Sequence, residues 1–333
     1  MKRILVTGAG GFIGSHLAEK LYQEGNFVRA VDIKWGEFVS DLFCSEKITG
    51  DLRDPETCRR VTKGIDYVFH LAADMGGIGY ITNVRSDIMR NNVTMNINVI
   101  ESAVRNSVNR IFFSSSACVY PEFKQDSEKV KPLREEDAIP AQPDTYYGWE
   151  KLFTEKVLES YKKDEKIDVR IARFHNVFGP KGDWEGGREK APAALCRKIA
   201  YATNPGKIVI WGDGKQTRSF LFIDDCIKGI IKLMDSNFSE PINIGSDRLI
   251  TISQLADIII AISGKRIEKV YDLSGPQGVR GRNADISLAK KVLDWEPEVP
   301  LEKGLEITYK WIESEVRRKL RLHEKRTISI LQR

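Results

Sequence analysis

A glycine-rich turn near the start of the chain sets the strongest limit on what it can fold into. Ile4-Leu5-Val6 is an apolar run of strand type, Gly8-Ala9-Gly10-Gly11-Phe12-Ile13-Gly14 follows at once, and residues 15–23 carry helical apolar spacing. A strand that turns on glycines into a helix is the opening of a βαβ unit. Glycines permit the tight turn and the close approach of a pyrophosphate, and the helix N-terminus adds free N–H groups and the positive end of its dipole. The spacing Gly8, Gly11, Gly14, with Phe12 and Ile13 between, is moderately specific alone. Asp32 strengthens it, standing 18 residues beyond Gly14 at the end of the second apolar run. A carboxylate there accepts from both ribose hydroxyls and repels a 2′-phosphate. NAD is therefore expected over NADP, with Lys34 the opposing residue. Asp51 and Leu52, after a third predicted strand, read either as adenine contacts or as a turn.

Apolar runs at 67–71, 110–113 and 169–172 continue the series, with helical stretches such as 95–105 between them. Strand and helix in alternation predict an α/β fold, a Rossmann-type doubly wound parallel sheet. Ligands bind such sheets beyond the carboxyl ends of the strands. After about residue 180 the pattern changes: Gly182, Gly186 and Gly187 mark a loop, followed by helices near 255–262 and 304–315 and short strands near 208–211 and 242–244. The expected organisation is a dinucleotide-binding domain over 1–180 with some later segments returning to it, a mainly substrate-binding α/β region over 181–316, and a basic tail over 317–333.

The 333 residues, 41% hydrophobic and 30% charged, suit a globular protein. No apolar run reaches the roughly 18 residues that cross a bilayer, and the N-terminus does not read as a secretory signal, so a cytoplasmic protein without a membrane partner is expected. Cys44, Cys58, Cys118, Cys196 and Cys226 are scattered and lack metal-ligand spacing, which argues against disulfides and a metal site. The net charge of +5 is concentrated in Arg317-Arg318-Lys319-Leu320-Arg321 and Lys325-Arg326. That run reads as a solvated helix end; no nucleic-acid module accompanies it, and no nucleic-acid partner is expected.

Two segments about thirty residues apart carry the chemistry. Ser114-Ser115-Ser116-Ala117-Cys118-Val119-Tyr120 follows a strand, and Tyr147-Gly148-Trp149-Glu150-Lys151 lies on a helix. Tyr147 and Lys151, four apart, share one helical face. An ammonium beside a phenol lowers its pKa, and the lysine is also placed to bond a nicotinamide ribose. Ser116 would hold the reacting hydroxyl. Cys118 reads equally as a small hydrophobe or as a reactive thiol, and Lys190, in a glycine-rich loop, reads by itself as a solvated charge.

His70-Leu71-Ala72-Ala73, Ser114–Ala117, Asn176-Val177-Phe178-Gly179-Pro180 and Trp211-Gly212-Asp213-Gly214 resemble the landmarks of the extended short-chain dehydrogenase/reductase family of nucleotide-sugar enzymes. Five further segments are similar to those of double epimerases in that family: 73–79, 116–123, 186–194, 213–220 and 278–283. The resemblance implies bound NAD, contacted also by Leu71, Ala72 and Ala73, a guanosine diphosphate hexose as substrate, and a homodimer. It implies that Tyr147 deprotonates a sugar hydroxyl while hydride leaves the same carbon, and that Cys118 and Lys190 then exchange protons at the two carbons flanking the ketone. Arg188 would help depress the pKa of Lys190. Gly76, Ser116, Ala117, Asn176, Glu189, Ala191, Lys198, Gln216, Thr217, Arg218 and Arg282 would contact the substrate, with Lys198 and Arg218 neutralising phosphates and Arg282 beside them. A 4-epimerase needs no such proton pair. A dehydratase usually has a carboxylic acid where this chain has Ala117-Cys118-Val119.

Overall fold

The computed structural model describes residues 1–39 and 43–331, with side chains to residue 322. The first half forms β1 (Arg3–Thr7), α1 (Phe12–Gln23), β2 (Phe27–Asp32), β3 (Glu46–Thr49), α2 (Pro55–Thr62) and β4 (Tyr67–His70). It continues through α3 (Ile78–Asn83), α4 (Arg85–Arg105), β5 (Arg110–Ser116), α5 (Tyr146–Lys163) and β6 (Asp168–Phe174). Ile4, Leu5, Val6, Val28, Ala30, Val68, Ile111, Phe112 and Phe113 are buried. Helices cover both faces of a parallel sheet, so its strands are apolar runs rather than alternating ones.

The second half begins with β7 (Val177–Phe178), α6 (Ala191–Tyr201), β8 (Gly206–Trp211), β9 (Thr217–Arg218), β10 (Leu221–Phe222), α7 (Ile223–Asp235) and β11 (Pro241–Ile244). It ends with β12 (Ile250–Thr251), α8 (Ile252–Ser263), β13 (Ile267–Asp272), β14 (Gly281–Arg282), α9 (Ser287–Leu293) and α10 (Leu301–Leu331). The main sheet runs β11-β6-β5-β4-β1-β2-β3, every pairing parallel. The strand expected near 242–244 is thus one of the segments that rejoins the first half. β8 pairs with β13, and β9 lies between β12 and β14. The strand order reverses between β1 and β4, the switch point where a doubly wound sheet opens a crevice.

The basic segment after residue 316 continues α10 as helix. Arg318 reaches Glu37 and Glu315, and Lys319 reaches Glu185 while standing over the Trp184 ring. Its start is docked onto the fold; Arg321 is exposed, and the side chains of Lys325 and Arg326 lie outside those described.

Candidate active site

The carboxyl ends of β1, β2, β4 and β5 converge. Gly8 follows β1 at φ +69°, where a Cβ would lie 2.7 Å from Ala72 N, so the turn needs glycine twice over. Gly14 lies so close to the carbonyl of Gly8 that no Cβ fits between them. Gly11 is the N-cap of α1 and carries no capping side chain. The first-turn N–H groups are left for an anion. Ile13 is half-buried, and the Phe12 ring packs toward Gly179 and Gly182.

Asp32 accepts from Gly10 N at 2.9 Å and Lys34 N at 3.1 Å. Burial raises its carboxyl pKa, while these backbone donors pull it back. Asp51 is engaged with Arg53, whose hydrogen bond is the main cause of its lowered pKa, and it also accepts from Arg53 N at 2.9 Å. Leu52 is buried beneath it. Leu71 N bonds Thr7 O at 3.3 Å, Ala72 N bonds Thr7 Oγ1 at 3.3 Å, and Ala73 continues the half-buried run beside the glycine turn.

Ser116 ends β5, Ala117–Val119 makes a single 3-10 turn with Ala117 buried, and Ser116 Oγ accepts from Cys118 N at 3.1 Å. Tyr147 and Lys151 lie on the buried face of α5. Ser116 lies close enough to the Tyr147 hydroxyl to oppose, weakly, the rise in its pKa. The expected lowering of the Tyr147 pKa is not found: burial first, then the Glu150 and Cys118 charges, push the phenol well above its ordinary value. Lys151 Nζ stands 5.5 Å from the centre of the Tyr147 ring and 4.7 Å from that of Phe113, 3.8 Å from Glu150 Oε1, with no hydrogen-bond partner. A buried ammonium with unused donors is what a ribose diol requires. With the glycine turn and Asp32, it makes these residues fit a nicotinamide dinucleotide.

Arg282 donates from Nη1 to Cys118 Sγ at 3.3 Å, from Nε to Gln125 Oε1 at 2.5 Å, and lies 3.7 Å from Asp144 Oδ1. It therefore faces the thiol, and its charge also reaches Arg218, one of the expected phosphate cations. Lys190 sits at the N-cap of α6. Burial lowers its pKa, the Cys118 and Cys226 thiols oppose that, and the nearby cation that reinforces it is Arg282. Arg188, expected in that role, faces away: its guanidinium lies 3.9 Å from the Tyr80 ring centre and bonds Tyr80 Oη at 2.6 Å and Met75 O at 3.3 Å.

Arg218 is half-buried, and its guanidinium bonds the backbone carbonyls of Thr217, Val279 and Gln277 at 2.7, 2.7 and 3.3 Å. Burial and then Arg282 press its pKa down to about 9. Among the described residues no carboxylate bonds Arg218, Asp144 acting on it only through its charge, and such a cation favours an arriving anion. Lys198 Nζ bonds Val209 O at 2.6 Å and stands 5.5 Å from the Trp211 ring centre, with burial lowering its pKa. Gln216 bonds Trp211 O at 2.9 Å and leaves its buried Oε1 unpartnered. Thr217 Oγ1 bonds Glu128 O at 2.7 Å, and Asn176 Nδ2 bonds Ser219 O at 3.0 Å. Glu189 is occupied by Gly187 N and Arg197, both at 2.7 Å, so it braces the loop that carries Lys190. Gly76 lies against the Tyr80 side chain, and Ala191 opens α6.

Several residues at this site escaped sequence reading. Asp144 and Gln125 reach Arg282 from loops distant in sequence, and no local pattern marks them. Glu150 was legible: it lies three residues from Tyr147 and five from Glu155, on the face of α5 that is buried.

The sequence profile of the NAD dependent epimerase/dehydratase family matches residues 4–245. The GDP-mannose 3,5-epimerase of Arabidopsis thaliana is 49% identical over 315 residues, 94% of this chain and 83% of that protein. GDP-mannose 3,5-epimerase 1 of Oryza sativa subsp. japonica is likewise 49% identical, over 94% of this chain and 82% of its own length. Among solved structures, a UDP-glucose 4-epimerase of Thermotoga maritima with UDP-glucose superposes with a TM-score of 0.84 at 28% identity, covering 94% of this chain and 99% of that one. MoeE5 in complex with UDP-glucose and NAD gives a TM-score of 0.80 at 28% identity, covering 96% and 99%.

Proposed function

The chain belongs to the NAD dependent epimerase/dehydratase family, and from that membership we propose that it is a GDP-mannose 3,5-epimerase, converting GDP-mannose to GDP-L-galactose with GDP-L-gulose as the C5-only product. What supports the double epimerisation most is the meeting of Cys118, Lys190 and Arg282 beside Tyr147.

Bound NAD supplies reversible acceptance of hydride at C4 of the hexose. Asp32 bonds the adenosine ribose, the first turn of α1 the pyrophosphate, and Lys151 the nicotinamide ribose. Tyr147 Oη takes the proton of the C4 hydroxyl as the phenolate, the form that the Lys151 ammonium and the positive charge of an oxidised nicotinamide would favour against burial and Glu150, and later returns it. While C4 is a carbonyl, the hydrogens at C3 and C5 are acidic, because each carbanion is an enolate. Inversion needs one group to take such a proton and another to deliver one to the opposite face. Cys118 and Lys190 are that pair. Arg218 and Lys198 hold the diphosphate, with bidentate geometry available to the guanidinium.

Residues 1–180 with β11 carry the cofactor, and 181–316 mainly the sugar nucleotide. The working unit is a cytoplasmic homodimer. Support for the dimer comes from Tyr146, Trp149 and Phe153, an apolar stripe exposed on the outer face of α5. Among the described residues no helix is long and apolar enough to cross a membrane. The five cysteines are free thiols, which suits a reducing compartment.

The reading is tested with GDP-mannose deuterated at C4. Full retention of the label in an L-sugar product, with no accumulation of NADH, is expected. Label lost to water, or stoichiometric NADH, excludes oxidation and return at C4.

A further inference from the structure

Glu150 is completely buried, yet among the described residues no arginine or exposed lysine pairs with it. Two amide donors and one ammonium converge on its carboxylate instead. Asn92 Nδ2 reaches Oε1 at 2.9 Å, Asn96 Nδ2 reaches Oε2 at 3.2 Å, and Lys151 Nζ stands 3.8 Å from Oε1. The ionised carboxylate suits this setting, accepting both amide donors and facing the ammonium; burial raises the Glu150 pKa, and the Lys151 charge is the largest influence pulling it back. An amide there would turn an N–H toward another donor.

Each donor ties Glu150 to a different part of the site. Asn92 is paired with the backbone of Asp74, donating to Asp74 O at 3.1 Å and accepting from Asp74 N at 2.6 Å. The Asp74 side chain accepts from Tyr80 Oη at 2.8 Å and Arg188 Nη1 at 3.4 Å, and Gly77 N bonds Arg188 O at 2.9 Å. The loop carrying Lys190 therefore docks on the turn that Asn92 holds. In the other direction, Asn96 Oδ1 lies 2.9 Å from His70 Nε2 and can only accept, so that nitrogen carries the ring hydrogen. His70 Nδ1 then accepts from Thr7 Oγ1 at 2.8 Å, and Thr7 Oγ1 accepts from Ala72 N beside Gly8.

We infer that Glu150 is a positioning residue for the reaction, whose buried charge keeps the Lys151 ammonium in place for the cofactor and, through Asn92, holds the turn on which the Lys190 loop docks. The inference rests on the assignment of Lys151 to NAD. Burial lowers the Lys151 pKa, and Glu150 is the strongest influence opposing that. The other groups facing Lys151 do not replace it. Glu155, also on α5, is committed to Arg173 of β6; Tyr147 is a neutral phenol; His70 of β4 is neutral. The Cys118 thiol contributes less than either glutamate.

The test is a calorimetric titration of cofactor-stripped protein with NAD at pH 6.5 and pH 9, which needs no sugar. Wild type is expected to bind equally at both values. Glu150→Gln should bind at least about tenfold more weakly at pH 9 and recover part of that loss at pH 6.5, because burial lowers the Lys151 pKa and the variant lacks the carboxylate that opposes this most. A merely structural glutamate would lower affinity equally at both. Equal loss, or wild-type affinity throughout, overturns the inference. If Glu150→Gln does not fold, Asn92→Ala carries the test: NAD affinity is expected to hold while KM for GDP-mannose rises at least about fivefold, and an unchanged KM refutes the link to the turn. Normal NAD titrations with no turnover of GDP-mannose by wild type would remove the proposed substrate and leave the role of Glu150 toward Lys151 standing.

Discussion

Arg282 Nη1 lies 3.3 Å from Cys118 Sγ, so the guanidinium places a donor and a positive charge directly on the thiol. Burial opposes the arginine's charge, and Cys118 and Asp144 more than offset it, leaving its pKa raised. Replacing Arg282 with Gln removes a charge-assisted bond worth about 1.5–3 kcal/mol. The expected result is a fall in kcat of about ten- to a hundredfold with NAD binding unchanged, checked by steady-state kinetics and NAD titration. An equal loss of NAD affinity would mean that Arg282 serves the fold rather than the thiol.

Arg218 makes a different prediction, because its guanidinium bonds backbone carbonyls and, among the described residues, no carboxylate. Arg218→Gln should raise KM for GDP-mannose by about tenfold or more and change kcat much less, since diphosphate contacts bind ground and transition states alike. Competition by GDP should weaken in parallel. A variant with normal KM would exclude the diphosphate contact.

Asp32 is the residue on which cofactor choice depends. Its oxygens are aligned by Gly10 N and Lys34 N and stand at the end of β2. Asp32→Ala should weaken NAD by about ten- to a hundredfold and bring NAD and NADP within a few-fold of each other. Fluorescence titration with both cofactors checks this.

Stability should fall on the acid side. His70 and His175 are wholly buried, and burial is the largest cause that lowers each pKa to about 3. Near pH 6.5 the unfolded chain begins to bind protons that the folded chain refuses. Stability is therefore greatest above about pH 6.5 and falls by roughly 1.4 kcal/mol per pH unit per histidine as pH drops toward 3. Denaturant unfolding at pH 7.0 and 5.5, with His70→Gln as the comparison, should show a shallower slope for the variant.

Sequence reading reached furthest where chemistry follows the order of the chain. The glycine turn, Asp32, and the Tyr147–Lys151 spacing lie within single βα units, so their geometry is local, and the structure sets them at one sheet edge. It failed where distant loops meet. Arg282 arrives beside Cys118 from 164 residues away, a contact that nothing in its own segment marks. Arg188 is adjacent in sequence to the Lys190 loop, yet Tyr80 and Asp74 draw its guanidinium elsewhere. The expected lowering of the Tyr147 pKa erred for a local reason. The ammonium of Lys151 is outweighed by burial and by the carboxylate of Glu150, one residue earlier on the buried face.

The most direct test of the double epimerisation is proton exchange itself. Purified protein is incubated with NAD and GDP-mannose in heavy water, and deuterium is mapped carbon by carbon by NMR. Label at both C3 and C5 in L-configured products is predicted, with Cys118→Ala and Lys190→Ala each suppressing it. Product formed without label at either carbon would contradict the account, and label confined to C5 would reduce the enzyme to a 5-epimerase.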